Sequence, residues 1–163
     1  MNRKGLFLVS LFALLSTSCE YWFRQDRVGA IYYDATTDRS DFSPCAADQI
    51  AEYYRSLPVY QEGLRDLTSH FLRDAPLLPD TLSGYFTARF IVNCEGEHGW
   101  YRFLATDLQY QSVPFNSQVK AWMLRRCQAL GTWAPGQIER QTVDSYVLIT
   151  ARIEAGIIKS ILP

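Results

Sequence analysis

Two alternating segments joined through a glycine-containing turn constrain the fold of this chain more than any other feature. Residues 85–93 place apolar side chains at every second position of one strand face: Phe86, Ala88, Phe90 and Val92. Residues 100–106 alternate again, with Tyr101, Phe103 and Ala105 on one side. The turn between them, residues 95–99, contains two glycines. This pattern predicts an antiparallel hairpin with one face buried in a core.

The spacing of apolar residues elsewhere predicts three helices and two further strands. Helical periodicity favours helices at 46–57, 61–72 and 118–130, the last capped by Asn116 or Ser117 and stopped by Gly131. Alternation favours strands at 145–153 and 157–162, joined by a turn at 154–156, whereas 132–142 is expected to be a loop. We therefore expect an α+β fold, a small antiparallel sheet of three or four strands with helices on one face.

The first 18 residues have the composition of an export signal. Arg3 and Lys4 precede an apolar run at 5–16, and small polar residues lead into Cys19. The run is about a dozen residues long, whereas a helix needs about 20 to cross a bilayer. The segment therefore predicts a cleaved signal peptide.

The residues before Cys19 resemble a bacterial lipobox, in which the cysteine receives diacylglycerol and becomes the first mature residue. The lipobox usually has leucine three residues before the cysteine, but here Ser16 occupies that position and Leu15 precedes it. The resemblance implies a lipoprotein held in a bacterial cell envelope by two or three acyl chains, palmitate among them, which is a stable anchor. No acidic run follows Glu20, which favours the periplasmic face of the outer membrane. Plain secretion and an uncleaved anchor are the alternatives.

The charge balance argues against nucleic acid as a partner. The chain has 16 basic and 17 acidic residues, and removal of the signal peptide leaves 14 basic residues. Nucleic-acid binding needs a concentrated basic surface, which this composition does not provide. No catalytic triad or cofactor motif stands out. Glu95, Glu97 and His98 lie together in a turn, but acidic residues in a loop usually face water, so they are not expected to bind a metal. We expect no enzyme activity, cofactor or metal.

Three cysteines remain after Cys19, so at most one internal disulfide can form. Cys45 and Cys94 lie at the ends of predicted elements, whereas Cys127 lies on the apolar stripe of a helix and is expected to pack as a hydrophobic side chain. We favour a Cys45–Cys94 bridge, with Cys94–Cys127 or no bridge as alternatives.

The order of the predicted elements, together with the residues at certain positions in them, resembles that of the C-terminal domain of the TonB family. The matching positions are Gly84, residues 86–92, Gly96, Leu124, Leu130, Trp133, Pro135, Gly136, Val143 and Tyr146. The resemblance covers residues 58–163 and is strongest to stand-alone TonB-like lipoproteins of Bacteroidetes-type bacteria. Together with the leader, this resemblance gives the expected organisation of the chain: a signal peptide at 1–18, a tether at 19–45 and a TonB-C-like domain at 46–163.

The resemblance also implies how the chain binds a partner. The family binds by strand addition, which here would use the edge strand residues Tyr146, Val147, Leu148, Ile149 and Thr150, and we expect residues 157–161 to occupy that edge already. Between residues 19 and 58 the only proline is Pro44, so the stiff arm of a true transducer is missing. We expect a scaffold that binds another envelope protein without transducing energy. Because aromatic residues make up 14% of the chain, a small-ligand or peptidoglycan binder is the alternative.

Overall fold

An antiparallel sheet forms the centre of the structure, a computed structural model that describes residues 29–163. Its compact unit runs from Ile31 to Pro163. The elements, in chain order, are α1 (Tyr53–Ser56), β1 (Val59–Tyr60), α2 (Leu64–Leu72), β2 (Gly84–Val92), β3 (His98–Thr106), α3 (Ser117–Gln128), β4 (Trp133–Ala134), β5 (Gly136–Ile138), β6 (Gln141–Val143), β7 (Ser145–Glu154) and β8 (Ile157–Leu162).

The four-stranded sheet has the order β3-β2-β7-β8, and every neighbouring pair is antiparallel. β2 and β7 are the central strands and pair without interruption from Gly84 opposite Ile153 to Val92 opposite Ser145. Two small two-stranded sheets, β1–β4 and β5–β6, lie outside it. The expected α+β class with an antiparallel sheet is confirmed, and the predicted fourth strand is present as β8.

One face of the sheet packs against α2 and α3. The two central strands contribute an alternating set of fully or nearly fully buried side chains: Phe86, Ala88, Phe90, Val92, Val147, Ile149, Ala151 and Ile153. Trp122 of α3 and Phe71 of α2 pack into this cluster, edge to face with ring centroids 6.0 Å apart. α3 begins where predicted, because the Asn116 side chain accepts hydrogen bonds from the amides of Gln118 and Val119.

The opposite face has a second, smaller cluster, built from Ile31, Phe42, Ile50, Ile91, Trp100 and Tyr146. Two of these side chains come from the segment assigned above to the tether, so residues 31–45 belong to the folded unit. Arg102 of β3 holds this segment by donating to both carboxylate oxygens of Asp38, at 2.8 and 2.7 Å.

The prediction of a helix at 46–57 is wrong. Only Tyr53–Ser56 is helical, and Tyr53, Tyr54 and Leu57 of the predicted apolar face are exposed. The backbone amide of Ala46 donates to the Asp144 carboxylate and that of Ala51 to the Asp144 carbonyl. In the predicted helix the Ala51 amide would bond to the carbonyl of Ala47, so its use in a tertiary hydrogen bond makes it unavailable to that helix.

The loop expected at 132–142 contains two strand pairings. β4 pairs with β1, and β5 and β6 form a hairpin whose two turn residues, Glu139 and Arg140, have φ of 51° and 68°. Such a turn usually contains asparagine or glycine, and neither residue is present here to indicate it. The helix predicted from residue 61 begins at Leu64 instead.

The predicted signal peptide and Cys19 lie outside the described residues. Within residues 29–163, no helix has the length and apolar character that a transmembrane segment requires.

Phe90→Ala tests the packed face of the sheet. The Phe90 side chain has no exposed surface and its ring lies 5.5 to 5.8 Å from the rings of His98, Tyr101 and Trp133. We expect its truncation to lower the free energy of unfolding by about 3 to 5 kcal/mol in urea titrations. Leu77→Ala is the control, since Leu77 is 96% exposed, and should change it by less than about 0.5 kcal/mol. Equal losses in the two variants would contradict this account of the core.

Candidate functional site

The candidate partner-binding edge is the side of β7 that faces away from β2. Strand β8 pairs with only part of it, from Leu162 opposite Thr150 to Ile157 opposite Glu154. Of the five residues predicted to form the binding edge, β8 therefore covers Thr150 alone. The remaining four, 146–149, lie beyond the end of β8.

A different part of the chain covers the beginning of this edge. Ala51 forms a single parallel bridge with Ser145: its amide donates to the Asp144 carbonyl, and its carbonyl accepts from the Tyr146 amide, both at 2.8 Å. Ala51 thus behaves as one residue of an added parallel strand.

Between these two coverings, Leu148 has no strand partner on the outer side within residues 29–163. Backbone groups of successive strand residues point to opposite edges, and the Tyr146 amide points outward to Ala51. The amide and carbonyl of Leu148 therefore point outward as well. The edge is closed at both ends and lacks a strand partner for one residue in its middle.

A disulfide fixes the segment that leads to Ala51. Cys45 and Cys94 are bonded, with 6.0 Å between their Cα atoms, across 49 residues of sequence. This is the pair favoured from the sequence. Cys45 is exposed and Cys94 is half-buried, so the bridge joins the segment to the β2–β3 turn at the protein surface.

The carboxylate of Asp144 holds the same two segments together. Asp144 is 2% exposed, and one of its carboxylate oxygens accepts from the Ala46 amide at 2.6 Å. The other accepts from the Cys94 amide at 2.9 Å. A buried carboxylate needs such partners, and here each oxygen binds the backbone at or next to one half of the disulfide.

The residue after Ala51 makes an ion pair at the same edge. Glu52 accepts from the Arg89 guanidinium at 2.9 Å, and the side chain of Arg89 is only 14% exposed. The guanidinium carbon lies 4.1 Å from the centre of the Tyr146 ring. Arg89 is thus fixed between an aromatic face and a carboxylate, a geometry in which the ion pair is partly desolvated.

The acidic turn with His98 is not arranged as a metal site. His98 donates from Nε2 to the Leu130 carbonyl at 3.2 Å, so its Nδ1 accepts from the Tyr101 hydroxyl at 2.6 Å. Both ring nitrogens are therefore occupied within the protein. Burial lowers the pKa of His98, and burial also raises the pKa of Tyr101.

Cys127 is fully buried and unbonded, and burial raises the pKa of its thiol. Its position on α3 agrees with a packing role, since a nucleophilic cysteine needs an accessible thiolate. In the described part of the chain, one group of three residues brings possible metal-ligating atoms within 4.8 Å of one another: Cys45, Cys94 and Asp144. While the disulfide is formed, its sulfurs are not thiolates and do not supply such ligands.

Sequence reasoning missed the residues that close the edge, namely Asp144, Ala51, Glu52 and Arg89. Asp144 gave a weak signal, because an acidic residue directly before a buried strand must find donors. Nothing in residues 46–52 indicates a pairing with a strand almost 100 residues away.

Comparisons with family models, curated proteins and solved structures found no match for this chain.

Replacement of Asp144 by alanine tests its part in joining the two segments. The change leaves the amides of Ala46 and Cys94 without their acceptor, and we expect the free energy of unfolding to fall by roughly 2 to 4 kcal/mol. Asp41→Ala is the control, since Asp41 lies in an exposed pair with Arg39 and its removal should leave the free energy of unfolding almost unchanged. Urea titration with the disulfide intact measures both. An unchanged midpoint for the Asp144 variant would refute the assignment.

The buried position of His98 predicts a pH dependence of stability. Because its pKa is lowered in the folded protein, the unfolded chain binds the proton first as the pH falls below about 6.5. The free energy of unfolding should therefore decrease from pH 7 to pH 5, with a contribution of at most one proton. His98→Gln, which retains a donor and an acceptor, should lose this contribution in parallel urea titrations. The same pH dependence in both proteins would disprove it.

Proposed function

We propose that this chain is a bacterial cell-envelope lipoprotein, anchored through Cys19, whose TonB C-terminal-like domain binds another envelope protein. The lipobox-like leader supports the anchor and the envelope location. The succession of a hairpin (β2 and β3), a helix (α3) and a further long strand (β7) supports the proposed TonB-C-like fold. The protein acts as a scaffold, without enzyme activity and without transducing energy itself.

The outer edge of β7 is the observation that carries this proposal. A strand edge with an outward-facing amide and carbonyl offers main-chain hydrogen bonds to an extended segment of another protein. At Leu148 these groups have no strand partner in the described residues, and at Tyr146 the partner is a single residue, Ala51. Protein binding along this edge requires displacement of Ala51 but leaves the pairing of β7 with β2 in place.

A small-ligand or peptidoglycan binder is the second candidate, and one observation favours it. The rings of Tyr85 and Tyr110 stack almost in parallel, with centroids 5.1 Å apart and planes 7° apart. Tyr110 is 72% exposed. Tyr85 is half-buried beneath it, so the ring of Tyr110 offers a supported aromatic surface on which a sugar ring can stack.

Labelled palmitate tests the anchor. Cells that produce the full-length chain should incorporate the label into the protein, and Cys19→Ala should remove it, because the acyl chains are attached at that residue. Cys127→Ser is the matched control, since Cys127 is buried and is expected to leave labelling unchanged. A variant of Cys19 that is still labelled would refute the lipoprotein assignment.

Purification from detergent-solubilised envelopes separates the two candidate functions. A scaffold predicts a co-purifying protein in stoichiometric amount, retained by the Tyr110→Ala variant. Saturable binding to isolated peptidoglycan that the Tyr110→Ala substitution abolishes, with no such protein, would favour the second candidate.

A further inference from the structure

Three consecutive residues fill the beginning of the β7 edge as a bound peptide would. Ile50 is 8% exposed and packs in the second-face cluster with Trp100 and Tyr146. Ala51 makes the two main-chain hydrogen bonds of a parallel strand residue. Glu52 forms the ion pair with Arg89. We call residues 50–52 the internal segment.

The three contacts are of different kinds and together define a recognition pattern. An aliphatic side chain enters an apolar cluster, a small residue pairs with the strand, and a carboxylate binds a guanidinium. Main-chain pairing supplies affinity in strand addition, and the side chains on either side supply specificity. The Arg89 guanidinium also has a buried Nε without a partner, so this group is incompletely satisfied by Glu52.

The internal segment is held by connections at its ends. After it, α1 begins at Tyr53. Before it, the Ala46 amide is bound to Asp144 and Cys45 is bonded to Cys94. Because Cys45 is exposed, the disulfide is accessible to a thiol reductant.

We propose that the edge of β7 from Asp144 to Leu148 is a peptide-docking site, occupied by the internal segment while the Cys45–Cys94 disulfide is intact. The partner is an extended segment of another protein that carries an aliphatic residue, a small residue and an acidic residue in succession. This inference rests on the proposed function, and it specifies the chemistry of the partner and the condition under which it binds.

Reduction of the disulfide opens the site. A dithiol transfers two electrons and two protons to the Cys45–Cys94 bond, which yields two thiols, and the dithiol itself becomes a disulfide. The internal segment is then held near β7 by noncovalent contacts alone and exchanges with a competing peptide. In the oxidised protein the bridge keeps it close to β7, so the competing peptide is excluded.

A peptide copied from the chain provides the probe. It has the sequence of residues 48–53, Asp-Gln-Ile-Ala-Glu-Tyr, with blocked ends and a fluorescent label, and binding to the full-length protein in detergent is followed by anisotropy. We expect at least tenfold tighter binding to the reduced protein than to the oxidised protein. A peptide with glutamine in place of the glutamate should bind about tenfold more weakly. Equal binding in the two redox states, or equal binding of the two peptides, would overturn the proposal.

Amide hydrogen exchange tests the opening without a ligand. The Tyr146 amide points to Ala51, whereas that of Val147, the next residue, points to β2 and serves as the internal control. Reduction should accelerate exchange at Tyr146 at least tenfold more than at Val147. The Glu52→Gln variant, which keeps the disulfide, should show a smaller change in the same direction. Equal acceleration at both amides would mean that the bridge supports the whole sheet, and the proposal would be rejected.

A control variant and an alternative outcome complete the test. Cys127→Ala, which removes the buried thiol without adding a polar group to the core, should show the same dependence on the redox state as the unmodified chain, which excludes the third thiol as the cause. If the reduced protein forms dimers and does not bind the peptide, the occupant is a second copy of the chain and the inference fails. A partner that still co-purifies from envelopes in that case would leave the proposed scaffold function intact and assign it to another surface.

Discussion

The uninterrupted pairing of β2 with β7 is the constraint on which the rest of this structure depends. Each central strand is paired on both sides, and the alternation of side chains commits one set of residues to each face. The register sets Val92 opposite Ser145, so Cys94 and Asp144 follow at the same end of the sheet. A slip by one residue would exchange the faces and separate the disulfide from the carboxylate that supports it.

The two faces are stabilised in different ways. The first is covered by α2 and α3 through a continuous apolar cluster that includes Trp122 and Phe71. The second is covered by irregular chain held at a few points, among them the Asp38–Arg102 pair and the Asp144 carboxylate. Segments with few buried apolar contacts open at lower free energy than the core does. Local opening is therefore expected on the second face, next to the β7 edge, before the sheet itself unfolds.

The sequence predicted the elements whose side chains repeat regularly. Alternation located β2, β7 and β8, and the apolar stripe of α3 with its Asn116 cap located that helix closely. Prediction from the sequence failed where pairing between distant residues determined the local structure. Residues 46–57 carry a helical pattern, but Ile50 packs in the second-face cluster and Ala51 pairs with β7, which leaves one helical turn. The sequence placed the candidate edge on the strand observed as β7, but the residue that covers the beginning of this edge was not predictable without the fold.

In the proposed docking site, competition between the covalently attached internal segment and a free partner determines which of the two occupies the β7 edge. A short tether gives its segment an effective concentration in the millimolar range, so a free peptide with the same contacts binds only the fraction of molecules whose site is open. The disulfide shortens the tether on one side and raises that effective concentration, and reduction lowers it. A natural partner of the oxidised protein must therefore exceed the contacts of residues 50–52. The internal segment does not use the outward-facing amide and carbonyl of Leu148. A longer strand could form additional main-chain hydrogen bonds with these two groups.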